Sequence, residues 1–175
     1  MMMLPVPSHS RSLACALAAG MLASLISACD GSRQSTAPTT ADMNSPGSTQ
    51  QLEARVGDVT VYMTAIQTST IPAEVAREHG IAQRDDLIML RVSPRRQGSN
   101  GEIISAPVQI QATSAGLGAA PQPVALQEMV TSGLIDHVGT VEVPLPQTLT
   151  FQVTVGIPGG ASETLILTGD FSKRS

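Results

Sequence analysis

The amino-acid sequence predicts an all-β fold: an immunoglobulin-like antiparallel β-sandwich of seven to eight strands with one short helix after the first long strand. Three observations carry this. From Glu53 onward the apolar residues recur every second position, as in a half-buried strand. Turn residues interrupt the pattern every 8–12 positions or so, the spacing of a sandwich. The links between apolar runs are short, as antiparallel neighbours allow.

The elements follow in order. In Glu53–Thr68, Val59, Val61, Met63 and Ala65 fall on one face and Thr60, Tyr62, Thr64 and Ile66 on the other. This is one long strand, or two broken at Gly57-Asp58. Thr70 to Ile81 then reads as a two-turn helix. Thr70 is placed to cap it, Pro72 to enter the first turn, Glu74 to meet the positive end and Gly80 to stop it. Ile71, Val75 and Ala76 are expected to face the sheet. Leu87–Ser93 is a strand ended by Pro94, with a turn around Gly98 to Gly101. Ile103–Thr113 contains Pro107, which places it at an edge or a bulge. Gly116–Pro123 is a loop. Val124–Val130, His137–Val143, Thr148–Ile157 and Ser162–Phe171 complete the strands, the last two joined at Pro158-Gly159-Gly160.

Ahead of this domain lie two segments of different character. Residues 1–28 carry Arg11 and then a mostly apolar run from Leu13 to Ile26. That run has the length of a signal-peptide core and falls short of the roughly twenty residues that span a bilayer. It ends Ile26-Ser27-Ala28-Cys29, which resembles the lipobox of bacterial lipoproteins, with Ile26 where leucine is commonest. The resemblance implies cleavage before Cys29 and a covalent lipid on its thiol. Of the two cysteines, Cys15 lies in the leader, so the mature chain would keep one thiol and form no internal disulfide. Two or more acyl chains anchor stably where one does not. Asp30 follows directly. Aspartate there goes with inner-membrane retention in enteric bacteria, so the leaflet stays open with a slight lean to the inner membrane. From position 29 to 51 the chain is rich in Gly, Ser, Thr, Gln and Pro and has little to bury. It reads as a flexible tether spanning roughly 25 Å. The expected organisation is a leader at 1–28, a lipidated tether at 29–51 and a sandwich at 52–172. The expected location is the periplasmic side of the cell envelope.

The residues from Tyr62 to Arg84 resemble a known family. Val61-Tyr62-Met63-Thr64-Ala65-Ile66 runs into Ile71-Pro72-Ala73-Glu74-Val75-Ala76, then His79-Gly80-Ile81 and Arg84. This is similar to the opening of the bacterial family known as domain of unknown function 4426. Glu128-Met129, the run near Val141, Thr148-Leu149-Thr150-Phe151 and Thr168 to Phe171 extend the resemblance over nearly the whole folded part. The long Gly-Ala-Pro loop at Gly116–Pro123 departs from it. The resemblance implies a small exported or lipid-anchored sandwich of uncharacterised role and carries over no catalytic residues.

Composition narrows the chemistry. The net charge is −4, and the leader's only charge is Arg11, so the mature chain is one unit more acidic. A mildly acidic chain without a basic stripe has no electrostatic hold on nucleic acid. There is no Trp, one Tyr and two Phe, too few for a ring-stacking platform. No Gly-x-Ser-x-Gly elbow and no phosphate loop are present. The mature histidines, His79 and His137, each adjoin a carboxylate, Glu78 and Asp136. A metal or ligand site, or a weak hydrolase, requires the two to converge, with Asp85 or Asp86 nearby. Scattered surface histidines are more often solvated. Asp85-Asp86 and Glu74/Glu78 read as wet surface rather than an acid–base pair. Met63, Met89 and Met129 read as core rather than copper ligands. Arg84 reads as a salt bridge tying helix to sheet, with an anion or partner contact as the other option.

The function expected is therefore non-enzymatic and without a cofactor other than the lipid: an interaction or assembly accessory module docking on an envelope protein. Tyr62, Glu74 and Arg84 are the candidate interaction or structural residues. The alternative is a small-ligand or metal-binding domain using His79 and His137.

Overall fold

In the computed structural model, residues Thr49 to Arg174 are described. The leader, Cys29 and most of the tether lie outside the described residues. The sandwich is all-β as expected, but it has ten strands rather than seven or eight, because two predicted runs change sheet midway and the first folds into a hairpin.

The first predicted strand is two. β1 (Thr49–Val56) and β2 (Val59–Gln67) form a hairpin that turns at Gly57-Asp58, with Val56 paired to Val59. β1 begins inside the segment read as tether, since Thr49, Gln50 and Gln51 continue the ladder opposite Ile66, Ala65 and Thr64. Polar residues suffice there because the backbone supplies the ladder bonds. A single 3-10 turn, Thr68–Thr70, precedes α1 (Ala73–Glu78). Thr70 does not cap the helix. Its hydroxyl donates to the carbonyl of Gln67 at 2.7 Å, closing the 3-10 turn instead. Gly80 does stop it, at φ +64. The amides of Gly80 and Ile81 donate to the carbonyls of Arg77 and Ala76, the paired bonds of a Schellman end.

β3 (Leu87–Gln97) runs through Pro94 instead of ending there. Its partners explain why. β2 covers one edge of β3, while the other edge is shared by β8 (Leu134–Glu142) along Leu87–Val92 and by β4 (Ile103–Ser105) along Arg95–Gln97. Amide and carbonyl of one strand residue point to the same side. The Pro94 carbonyl accepts from Ala106 on the β4 side, so its missing amide falls at the fork between β8 and β4, where no ladder bond is lost.

Past Ala106 and Pro107 the chain crosses to the second sheet as β5 (Gln109–Gly116) and β6 (Gln122–Val124), then returns as β7 (Gln127–Thr131). The runs predicted as Ile103–Thr113 and Val124–Val130 are each split by these crossings. β9 (Gln147–Gly156) and β10 (Ser162–Phe171) form the closing hairpin. One sheet has the order β1-β2-β3-β8-β7 with β4 beside β3; the other has β10-β9-β5-β6.

The core lies between the sheets. Val61, Met63, Ile88, Leu90 and Val92 from one sheet meet Leu149, Phe151, Val153, Leu167 and Phe171 from the other. A side chain of this size buried in full contributes about 1.5–3 kcal/mol. A second, smaller cluster lies on the outside of the larger sheet, where Ile71 and Ala76 of the helical segment pack on Met89 beside Ile66, Ile81 and Val138. Ile71 and Ala76 thus face the sheet as expected. Val75 does not; it remains 41% exposed.

Candidate functional site

The register defines the outer face of the larger sheet. Residues directly opposite each other point to the same side. Glu53, Tyr62 and Ser93 therefore form one row across β1, β2 and β3, and Gln51, Thr64 and Arg91 the next. Arg91 lies opposite Val138 of β8, and Val138 lies opposite Gln127 of β7. Helix α1 covers one end of this face, above Met89. The middle is bare: Tyr62 is 43% exposed and Arg91 is exposed.

Two concavities adjoin on this face. A broad polar groove of about 570 Å³ runs over Glu53, Tyr62, Arg91, Ser93 and Asp136. A smaller apolar cleft of about 250 Å³ lies beside α1, walled by Ile71, Val75, Ile81, Met89 and Met129. Val75 is exposed because it forms this wall. Thr64 and Arg91 line both concavities, so the two adjoin there. Among the described residues Arg91 has no ion-pair partner.

The groove ends at a buried ion pair. Arg95 and Asp136 are 12% and 6% exposed at their side chains. The Arg95 guanidinium donates to Asp136 Oδ1 and also to the carbonyls of Ile135, at 2.7 Å, and Pro94, at 3.1 Å. Ser105 Oγ accepts from the Ile135 amide at 2.7 Å. Together these groups satisfy the backbone at the fork where β3 exchanges β8 for β4.

Of the residues singled out in the sequence, Tyr62 lies in the groove. Glu74 is exposed in the first turn of α1. Arg84 donates to Asp86 at 2.9 and 2.8 Å and to Glu142 at 2.7 and 3.3 Å, joining the segment after the helix to the end of β8. These hydrogen bonds raise the Arg84 pKa and hold the Asp86 carboxyl below its ordinary value. Asp85 accepts the Arg174 amide at 3.3 Å.

His79 and His137 do not converge. His79 follows α1 and lines the apolar cleft. His137 lies opposite Val92 and Glu128, on the core-facing side of β8. The sheet stands between them. Asp136 points the other way from His137 and is held by Arg95. Burial lowers the His137 pKa, against the pull of Glu128 and Asp136. Among the described residues no three His, Cys, Asp or Glu side chains cluster as a metal set.

Arg91, Ser93 and Arg95 were not singled out in the sequence. The one available signal was Arg91 itself, a cation at mid-strand in Leu-Ile-Met-Leu-Arg-Val, which marks an outward position on a central strand.

The fold is that of a small antiparallel β-sandwich whose larger sheet leaves the middle of its outer face bare. The chain belongs to the family of domain of unknown function DUF4426, which matches residues 53–171. No curated protein matches it. A DUF4426 family protein from Pseudomonas aeruginosa has a similar structure, with a TM-score of 0.58 and 17% identity over 72% of this chain and 98% of that one. A copper-bound variant of FetP from uropathogenic Escherichia coli is also similar, with a TM-score of 0.50 and 11% identity over 73% of this chain and 94% of that one. No helix among the described residues is long and apolar enough to cross a membrane.

Proposed function

We propose that the protein is a lipid-anchored module of the bacterial cell envelope that docks an envelope protein on the outer face of its larger sheet. Cys29 carries the lipid, the segment after it is the leash, and the domain works on the periplasmic side, with a lean to the inner membrane from Asp30. The reading assigns the domain no catalytic step and no cofactor beyond the lipid. The observation that supports it is the bare centre of the outer face, where Tyr62 and Arg91, the latter without an ion-pair partner among the described residues, lie over two adjoining concavities.

Affinity purification of the full-length protein from chemically cross-linked cells tests it. One abundant envelope protein is expected with the wild type and is lost with Tyr62→Ala/Arg91→Glu, while Glu74→Ala keeps it. Equal recovery of that protein with the double variant contradicts the reading.

A second reading starts from the copper that FetP binds. His79, Met89 and Met129 line one cleft here, and imidazole and thioether suit Cu(I). The register weakens it. Met89 is opposite Thr140 and Met129 opposite Asp136, so the two methionines stand two strands across and four residues apart, about 16 Å at the backbone. One ion would meet His79 and a single thioether. A stoichiometric Cu(I) complex lost in His79→Ala would favour this second reading.

A further inference from the structure

We propose that the cleft beside α1 receives the apolar C-terminal residue of the docked protein, with its α-carboxylate bound by Arg91. This rests on the outer face being the docking surface. Charge complementarity commits the cleft to an anion. Among the described residues its only charged or titratable lining groups are Arg91 and His79, and no carboxylate lines it, although the whole chain is net −4. Glu74 and Glu78 lie on α1, but neither reaches the lining. The planar Arg91 guanidinium, free of ion pairs among the described residues, offers two parallel donors, the geometry a carboxylate takes.

Size and the adjoining groove select a chain end. The cleft has the volume of about eight water molecules, room for one large apolar side chain. The polar groove adjoins it at Thr64 and Arg91, and there the hydroxyls of Tyr62, Thr64 and Ser93 can meet the amides of the preceding residues. An apolar residue inside a chain would bring no charge for Arg91. A fatty acid would use the cleft and leave the polar groove without a partner.

The probes are three dye-labelled hexapeptides of uncharged sequence: one ending in leucine with a free carboxylate, the same peptide amidated, and one ending in serine. Fluorescence anisotropy reads their binding to the full-length protein in nanodiscs. The free leucine acid is expected to bind at least tenfold more tightly than either of the others. Arg91→Glu should remove that preference, and Val75→Glu should remove binding. Both positions are solvent-exposed, and an unchanged circular dichroism spectrum checks that the fold persists. Equal binding of acid and amide overturns the proposal, as does absence of binding by all three. Displacement of the acid peptide by octanoate at lower concentration than by the unlabelled peptide also overturns it, in favour of a fatty-acid cleft. If these fail while purification still recovers a partner that Tyr62→Ala/Arg91→Glu loses, the docking surface stands and only the carboxylate is wrong.

Discussion

Arg95 shows how one side chain can serve a structural need that its strand position conceals. It sits on a β3 segment that has lost β8 as a neighbour and only begun to pair with β4. Its guanidinium fills that gap with bonds to Ile135, Pro94 and Asp136. Removing one member of a buried pair strands the other charge, which costs about 3–5 kcal/mol. Asp136→Ala is therefore expected to lower the unfolding free energy in urea by about 3 kcal/mol. Adding Arg95→Met should restore part of this but not all, because the Ile135 carbonyl then loses the guanidinium, while Pro94 keeps the Ala106 amide. Nothing in the sequence marks this pair: Arg95 and Asp136 are far apart in the chain and their meeting depends on the sheet order. His137 offers a second residue-scale test. Its folded pKa lies below the unfolded value because burial disfavours the cation. The unfolded state then binds more protons, so stability is present above the unfolded pKa, near 6.5, and declines as the pH falls through and below it. His137→Gln should lose less stability than the wild type between pH 7.5 and 5.5. An equal loss in thermal unfolding experiments would mean that another group carries the acid sensitivity.

At the scale of elements, period and turn chemistry made the strands legible, while sheet membership was not. Ser162–Phe171 has the predicted bounds, and the hairpin before it turns at the predicted Pro158-Gly159-Gly160. Those features are local. The splitting of Ile103–Thr113 and Val124–Val130 between two sheets depends on partners distant in sequence, and alternation looks the same on either sheet. Pro94 misled for the same reason: its cost depends on which neighbour the missing amide faces. Helix α1 was legible at its glycine end and not at its start, where Thr70 closes a 3-10 turn. Gly139 on β8 exposes another long-range demand. A Cβ there would stand 2.5 Å from the Ala125 carbonyl oxygen and 2.9 Å from Val124, on the returning β6–β7 connection. Backbone cannot yield as a side-chain tip does, so Gly139→Ala is expected to cost about 1–3 kcal/mol by overpacking. The fall in thermal midpoint measures it, and a neutral result would mean that the connection is free to move.

Taken whole, the molecule has two sheets whose inner faces are spent on the core and whose outer faces differ. The outer side of the larger sheet carries a helix at one end, a buried ion pair at the fork of β3 and a bare centre with Tyr62 and Arg91. The outer side of the smaller sheet includes threonine pairs, Thr150 with Thr168 and Thr154 with Thr164, each 3.0 Å apart, which link its β9 and β10 strands. The family and the sandwich were legible in the sequence because they rest on local pattern. The candidate site was not, beyond Tyr62 and His79, because it is assembled from β1, β2, β3, β7, β8 and the helical segment. The most direct test compares the two outer faces in living cells. A photo-crosslinking amino acid is placed at Thr64 on the larger sheet and, in a parallel strain, at Ile166 on the smaller one. The account predicts one discrete cross-linked envelope protein from position 64 and none from 166. A discrete product from 166 alone, or from neither position, would contradict it.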